Sequence, residues 1–220
     1  MTTCILCAVR YRPGHKAEVH QKIVKDASGR VRAEGLNGVA VATVMHDNGL
    51  THGGFYKHFE NKDQLLLESL REAFRDICDT LAHAAEHPGD EAPWKAIVNT
   101  YLNPDLCLHI ERGCPLPALA PEMARLDAPM KDQVFAELVK YRDRMLPFMP
   151  GRQPADKERA FFVLFSTMTG AVEIARMMPI PSVRDQVLNT AKEFLLSRLE
   201  LPSLEEPSID KLDPKTSAKT

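Results

Sequence analysis

The 220-residue sequence lacks an uninterrupted apolar run of about 18 residues, the length that a membrane-spanning helix needs, so we expect no membrane segment. Its opening puts an apolar stretch ahead of its first basic residue, Arg10, the reverse of a secretory signal. The five cysteines are scattered and odd in number, which argues against a disulfide framework. These features favour a protein of the reducing cytoplasm.

Catalytic signatures are also missing. The sequence contains no nucleophile elbow, Walker loop, dinucleotide fingerprint or HExxH zinc motif. Cys4 and Cys7, followed by His15 and His20, could suggest zinc, but the gap between the two pairs is short for a zinc finger. We therefore expect no enzyme activity, no cofactor and no metal.

Strand signals are nearly absent, and the hydrophobic pattern predicts an all-α chain of about nine helices. In the first helix Val19, Ile23, Ala27 and Val31 recur every four residues, and Gly35 ends the helix. The predicted helices cover about 15–34, 41–48, 52–59, 62–86, 91–102, 106–110, 129–149, 156–178 and 183–199. Residues 114–121 are interrupted by prolines, and no helix is predicted there.

Two kinds of segment stand apart from this pattern. Residues 156–178 are apolar on more than one side, so we expect them to be buried on more than one side, with a partner chain covering part of the surface. Residues 1–14 are predicted to be a flexible extension, and residues 201–220, with three prolines and many charges, a disordered tail.

Charge is unevenly distributed along the chain. Residues 10–62 carry nine Lys/Arg and five Asp/Glu, a net charge of +4, whereas residues 63–220 carry a net charge of −6. A basic first part on an acidic body is typical of a protein whose first part meets a polyanion, although ordinary variation could also produce such a difference.

Residues 41–59 predict a helix-turn-helix, with the turn at Asn48, Gly49 and Leu50. Thr51 is the expected N-cap of the second helix, and Asn61 with Gln64 predicts a capping box for the next helix. The second helix contains adjacent glycines, Gly53 and Gly54, which together cost about 2 kcal/mol relative to alanine.

A close approach of this segment to DNA would explain why two glycines occur there despite their cost in helix stability. The free N–H groups at a helix N-terminus bind phosphate, and bare glycine backbone would let the wall of a duplex come near. Phe55 and Phe59 can anchor the inner face, while Tyr56, Lys57 and His58 supply donors. The alternative is a glycine-softened loop in an ordinary helical protein.

Residues 49–65 read Gly-Leu-Thr-His-Gly-Gly-Phe-Tyr-Lys-His-Phe-Glu-Asn-Lys-Asp-Gln-Leu. This run strongly resembles the signature of the tetracycline-repressor-type (TetR/AcrR) regulators, and the resemblance covers about residues 15–70. The stretch from Arg112 to Pro117 is similar to a subgroup with the same second helix. Ala40 departs from the family, which usually has Ser or Thr where the short helix begins.

The resemblance implies a DNA-binding domain at 15–62 and a ligand-binding and dimerisation domain at 63–200, with the helix at 62–86 as connector. Carried over by position, Thr51, Tyr56, His58 and Lys62 match residues that contact phosphates. His52, Gly53 and Lys57 match positions near base edges. Thr43 lies where the first helix of the motif approaches the DNA backbone. Gly54 belongs to the peptide backbone, bare of side chains, that would lie beside the duplex.

The resemblance also implies a homodimer that binds a palindromic operator and releases it when a small effector binds. Residues that could line an effector pocket are Trp94, Tyr101, His109, Phe135, Phe165 and Met168. Residues expected at the dimer interface, on helices 157–178 and 183–199, are Phe161, Phe165, Val172, Leu188 and Leu195.

Three alternatives remain open. Cys107 and Cys114 lie near His109 and Arg112, which could lower a thiol pKa and make a redox or electrophile sensor. The chain could also be a helical enzyme that does not bind DNA, or a DNA-bound regulator without an effector.

Overall fold

The computed structural model describes residues 14–198, and every regular element in that range is helical, which confirms the expected all-α fold. There are nine α-helices in it: α1 (His15–Gly38), α2 (Val41–Asp47), α3 (Lys62–Glu86), α4 (Pro93–Tyr101), α5 (Pro104–Leu108), α6 (Leu116–Met123), α7 (Ala128–Met145), α8 (Pro154–Met177) and α9 (Pro181–Arg198). Two short 3-10 helices cover His52–Lys57 and Leu146–Phe148. The expected tail, most of the expected N-terminal extension, and Cys4 and Cys7 lie outside the described residues.

The first helix is interrupted where its glycine predicts. Gly35 has φ 81° and ψ 169°, so the regular helix stops there, although helical turns continue to Gly38. A side chain at Gly35 would begin 2.7 Å from the carboxylate of Glu122 on α6. The positive φ and this close approach both require glycine.

The first three helical segments share one small core. Ile23, Val24, Ala27 and Val31 form the buried stripe of α1, as the spacing predicts. Val44 and Met45 of α2 and the rings of Phe55 and Phe59 complete this core. The two rings stack with centroids 5.4 Å apart, so aromatic packing holds the short segment against α1 and α2.

The long helix α3 begins at the predicted cap. The side chain of Asn61 accepts a hydrogen bond of 2.8 Å from the backbone N–H of Gln64. The Gln64 side chain in return accepts one of 2.7 Å from the N–H of Glu60, one residue earlier than in a standard capping box. From this start α3 packs along α1, α4 and α7, so it contacts both parts of the proposed domain division, which stays a prediction.

The stretch at residues 114–121, where no helix is predicted, contains most of a helix despite its prolines. Leu116–Met123 is a helix, with Pro115 at its N-cap position and Pro117 in its first turn. First-turn residues have no helical acceptor for their N–H groups, so proline is tolerated there. Pro121 lies inside the helix, and α6 ends two residues later.

Helix α8 passes a test of length and mean hydropathy for a membrane-crossing helix, although the sequence contains no uninterrupted apolar run of about 18 residues. It is the one such helix in residues 14–198, and its buried side packs in the protein core. Scattered charges interrupt its apolar run without making the average polar. On its other sides Phe162, Val163, Ile174 and Met177 are exposed, so α8 is apolar on more than its core side, as predicted.

Candidate nucleic-acid interface and effector cavity

A tight turn joins α2 to the segment that follows it. Gly49 has φ 72°, and its N–H donates to the carbonyl of His46 at 2.8 Å. The N–H of Leu50 then donates to the carbonyl of Met45 at 2.9 Å. A left-handed residue is needed to reverse the chain after so short a helix, and glycine adopts that conformation without a steric penalty.

We name His52–Lys57 the recognition segment. It is a 3-10 helix of six residues and not the α-helix of residues 52–59 that the sequence predicts. Thr51 occupies the predicted N-cap position, although its side chain makes no capping hydrogen bond. Two glycines and a length of under two turns explain the difference, because short segments with weak helix formers readily take 3-10 geometry.

The recognition segment presents its polar side chains outward. Phe55 is only 3% exposed and faces the core, whereas the next ring, Tyr56, is 69% exposed. His52, Gly53 and Lys57 are also exposed, as is Thr43 on α2. His58 and Lys62 are half-buried. The residues predicted to contact DNA are therefore accessible to different extents, and both Tyr56 and Lys57 are exposed.

Nothing inside the described subunit requires glycine at position 53 or 54. Neither residue has a positive φ. A methyl group added at Gly53 would meet no atom within 4 Å, and one at Gly54 would make ordinary contacts of 3.7 Å with Met45 and Thr51. No contact or backbone conformation within residues 14–198 therefore explains why positions 53 and 54 are glycine.

Next to the recognition segment, a network of contacts joins Phe59 to α1 and α3. His20 on α1 stacks on Phe59 with centroids 4.6 Å apart, and its Nε2 lies 2.6 Å from a carboxylate oxygen of Glu68 on α3. The Gln64 amide donates to the other oxygen of Glu68 at 2.9 Å. Sequence analysis missed the pairing of His20 with Glu68, because residues 48 positions apart leave no local signal.

His58 supplies less positive charge than its sequence suggests. Burial lowers its pKa, and the nearby cations of His20, Lys16 and Lys57 lower the pKa further. Its Nδ1 is buried and has no hydrogen-bond partner among the described residues. The neutral imidazole is therefore favoured, so His58 can donate or accept a hydrogen bond but is not a reliable cation.

Two of the basic residues in the first part of the chain are used inside the subunit. Arg30 pairs with Asp26, Glu34 and Asp47. Arg32 is 4% exposed and donates to the carbonyl of Gly113 at 3.3 Å and to Asp76 at 3.2 Å. Among the other described basic residues of this part of the chain, lysines 16, 22, 25 and 57 are exposed and Lys62 is half-buried.

Helix α5 and the loop that joins it to α6 are held from two directions. Arg32 on α1 donates to the Gly113 carbonyl, and Arg176 on α8 donates to the Cys107 carbonyl at 2.9 Å. A side chain at Gly113 would begin 2.9 Å from the Arg176 guanidinium. Glu122 of α6 adds a further link by accepting a hydrogen bond of 2.9 Å from the N–H of Leu36. These contacts connect α8 to the helix that supports the recognition segment.

A cavity of about 490 Å³ lies between α6, α7 and α8. Its walls are mainly apolar, and its lining includes Leu116, Phe135, Leu138, Phe161, Phe162 and Phe165. Arg142 and Glu173 are the charged side chains at its surface, and Ser166 and Thr169 add hydroxyls. This volume and lining are typical of a pocket for a small organic molecule.

Two of the six predicted pocket residues line this cavity, Phe135 and Phe165. The other four, Trp94, Tyr101, His109 and Met168, do not. Tyr101 is buried with its hydroxyl 3.2 Å from that of Thr169, and Met168 is fully buried in the core. The ring nitrogens of His109 lie near the carboxylates of Asp105 and Glu111.

Structural comparison relates this architecture to solved proteins, whereas no family model and no curated protein matches the sequence. A TetR transcriptional regulator from Chloroflexus aurantiacus aligns with a TM-score of 0.66 and 20% identity over 83% of this chain and 96% of its own. A TetR-family regulator from Cytophaga hutchinsonii aligns with a TM-score of 0.66 and 17% identity, covering 82% and 94%. The FadR regulator from Bacillus subtilis in complex with stearoyl-CoA aligns with a TM-score of 0.53 and 14% identity, covering 81% and 98%.

The chain has the fold of the TetR-family transcriptional regulators. In this TetR fold α2 and the recognition segment form the helix-turn-helix predicted from residues 41–59. The cavity lies in the part of the TetR fold that follows α3.

The five residues predicted for a dimer interface all lie inside the TetR-fold subunit. Phe161, Phe165, Val172, Leu188 and Leu195 are buried against the chain's own core, so a partner could not contact them directly. Other apolar residues of the two helices are exposed. We name these the apolar face: Val163, Ile174 and Met177 of α8 with Val183 and Phe194 of α9, whereas the exposed Phe162 belongs to the cavity lining.

The thiols do not have the surroundings of a reactive cysteine. Burial raises the pKa of Cys114 to about 11, although Tyr101, Arg176 and Arg32 favour the thiolate. Burial also raises the pKa of Cys107, and that of Cys78 to about 11. Thiols with raised pKa values react slowly, which disfavours a thiol sensor that depends on Cys107 or Cys114. Within residues 14–198 no cluster of His, Cys, Asp and Glu could hold a metal.

Proposed function

We propose that this chain is a homodimeric, sequence-specific DNA-binding transcriptional regulator of the cytoplasm and not an enzyme. It acts as a repressor that a small-molecule effector releases from a palindromic operator. The observation that carries the DNA-binding proposal is the pair of glycines, Gly53 and Gly54, on an exposed segment where the described subunit has no use for them. A duplex approaching this backbone supplies the missing reason.

In this proposal the recognition segment enters the major groove. The phosphates are contacted by Thr51, Tyr56, His58 and Lys62. Thr43 approaches the DNA backbone from α2. His52, Gly53 and Lys57 lie near base edges, with Gly54 giving the groove wall room. The exposure of Tyr56 and Lys57 supports these roles, while the lowered pKa of His58 makes it a neutral hydrogen-bonding group.

Two subunits pair through the apolar face of α8 and α9, which places their recognition segments on half-sites about 34–36 Å apart. Exposed apolar side chains on two adjacent helices support a four-helix contact across a two-fold axis. This surface replaces the five buried residues first expected at the interface.

The effector binds in the cavity between α6, α7 and α8 and favours a subunit shape whose recognition segments no longer match the operator. Differential affinity of the effector for the two shapes is what releases the DNA. The hydrogen bonds of Arg176 to Cys107 in α5 and of Arg32 to Gly113 in the loop after α5 support a mechanical link from α8 to α1.

Substitution of Gly53 by leucine tests the DNA-binding proposal. A leucine at this position meets no neighbouring atom at its Cβ, and it is a better helix former than glycine, so thermal stability should be unchanged or higher. Affinity for a duplex selected from a random pool should fall about ten- to a hundredfold, the size of one or two lost base contacts.

Gly170→Ala is the matched control, because an added methyl group there also meets nothing within 4 Å but lies on α8. It should leave DNA affinity unchanged. Retained affinity in Gly53→Leu, or a failure of the wild-type chain to select any duplex with steep salt dependence, would reject the proposal.

A further inference from the structure

The start of α1 lies beside the recognition segment. The imidazole ring of His20 on α1 has its centroid 6.0 Å from that of His58, which directly follows the recognition segment. Lys16 lies one turn before His20 and is exposed. Burial is the main cause of the lowered pKa of His58, and the nearby charge of Lys16 lowers that pKa further. The first turn of α1 is therefore close to a residue that we propose to contact phosphates.

Gly14 fixes where the chain enters α1. Its φ of 99° lies outside the helical region, so α1 cannot be extended backwards through this residue. Its carbonyl accepts a hydrogen bond of 3.0 Å from the N–H of Glu18. Gly14 is exposed, and an added methyl group there would meet no atom within 4 Å. Residues 1–14, which we name the N-terminal segment, thus join the subunit at an open position.

The sequence around this position is basic. Arg10, Arg12 and Lys16 give residues 1–17 a charge of +3, and these residues include no Asp or Glu. The first acid is Glu18, whose carboxylate lies 4.0 Å from a ring nitrogen of His15. Lys16 forms no ion pair with any residue between 14 and 198, so its charge is available to a polyanion.

The length of the N-terminal segment lets its arginines reach the groove next to the one that the recognition segment enters. At about 3.4 Å per residue, Arg10 can lie up to about 17 Å from His15 and Arg12 up to about 10 Å. Crossing one strand of phosphates from the major groove leads into the minor groove, which is about 6 Å wide. Arginine is favoured there because a narrow, A·T-rich minor groove has an enhanced negative potential.

We propose that the N-terminal segment is a second DNA-binding element, with Arg10 and Arg12 in the minor groove that borders each half-site and Lys16 on the phosphates between the two grooves. This inference rests on the proposed DNA-binding function and adds a second contact and a base preference to it. In the minor groove the amino group of guanine distinguishes G·C from A·T pairs. The chain therefore prefers A·T pairs at the borders of its half-sites.

Three duplexes with the same half-sites test the inference. The half-sites are those that the wild-type full chain selects from a random pool, and the pairs bordering them are A·T, G·C or inosine·C. Inosine·C keeps the major-groove pattern of G·C but lacks the guanine amino group in the minor groove. The wild type should bind the A·T and inosine·C borders about ten- to thirtyfold more tightly than the G·C border, the size of one or two unfavourable base pairs.

Four variants separate the contacts. Arg10→Ala combined with Arg12→Ala should remove the border preference and weaken the A·T-bordered duplex at least about tenfold. Lysine at both positions keeps the charge without the planar guanidinium, so it should restore only part of this loss. Lys16→Ala should weaken all three duplexes by the same factor, about three- to tenfold. Arg152→Ala, which removes an exposed arginine just before α8, should change none of them.

Two results would overturn the inference and leave the recognition segment in place. One is equal affinity of the wild type for all three borders, or unchanged affinity when both arginines are alanine. The other is a loss that is equal on all borders and fully restored by lysine, which would assign the arginines to phosphates. Failure of the wild type to select any duplex would instead reject the proposed function, and this inference with it.

Discussion

The recognition segment and the cavity between α6, α7 and α8 depend on different kinds of sequence information. The recognition segment has its turn, buried rings and outward side chains within residues 48–59. The cavity is lined by residues from Leu116 to Glu173 on three helices. A local motif can therefore be found from spacing alone, whereas a cavity depends on how distant helices pack.

The largest expected effect compares one phenylalanine from each region. Phe55→Ala removes a fully packed ring from the small N-terminal core and should cost about 3–5 kcal/mol of unfolding free energy. Phe135→Ala removes a mostly exposed ring at the cavity mouth and should cost less than about 1 kcal/mol. Urea denaturation of both variants measures the difference. Similar losses would contradict the assignment of one ring to a core and the other to a surface.

The next effect concerns assembly. Ile174→Asp places a charge on the apolar face of α8 without touching the subunit core, and it should convert a dimer to a folded monomer. Sedimentation and circular dichroism measure mass and fold together. Leu108→Asp, at an exposed apolar residue outside α8 and α9, should keep the dimer mass. A dimer that survives Ile174→Asp would place the interface elsewhere.

A smaller effect should separate two lysines of the DNA-binding surface. Lys57→Ala should cost about 1–3 kcal/mol and relax base preference, because Lys57 is proposed to lie near base edges. Lys62→Ala should weaken all duplexes similarly and lower the salt slope by about one, as a phosphate contact does. Binding to selected and random duplexes over a salt series measures both. Equal losses on both duplexes for both variants would remove this division of roles.

The smallest effect is a pH dependence at His58. Because its pKa is lowered in the folded chain, the unfolded chain takes up the proton first as pH falls through the ordinary histidine value near 6.5. The stability that His58 contributes is thus complete above that pH and is lost as the pH drops toward the folded pKa. Denaturation at several pH values should show a weaker dependence in His58→Gln than in the wild type. An identical dependence would mean that His58 titrates alike in both states.

An element was predictable from the sequence where its local signal is clear. Asn61 and Gln64 were correctly predicted as a cap, and Gly35 and Gly49 as helix ends, because each depends on residues within one turn. The 3-10 geometry at His52–Lys57 and the helix at Leu116–Met123 were missed, since neighbouring glycines and prolines obscured the local preference.

The helical class, the positions of most helices and the helix-turn-helix at residues 41–59 could all be predicted from the sequence, because these properties arise from short repeats and backbone preferences. Which apolar side of α8 packs inward depends on the packing of distant helices, which buries Phe161 and Phe165 and leaves Phe162 and Ile174 outside. Hydrophobicity identifies what must leave water, but it does not distinguish a chain's own core from a partner's surface.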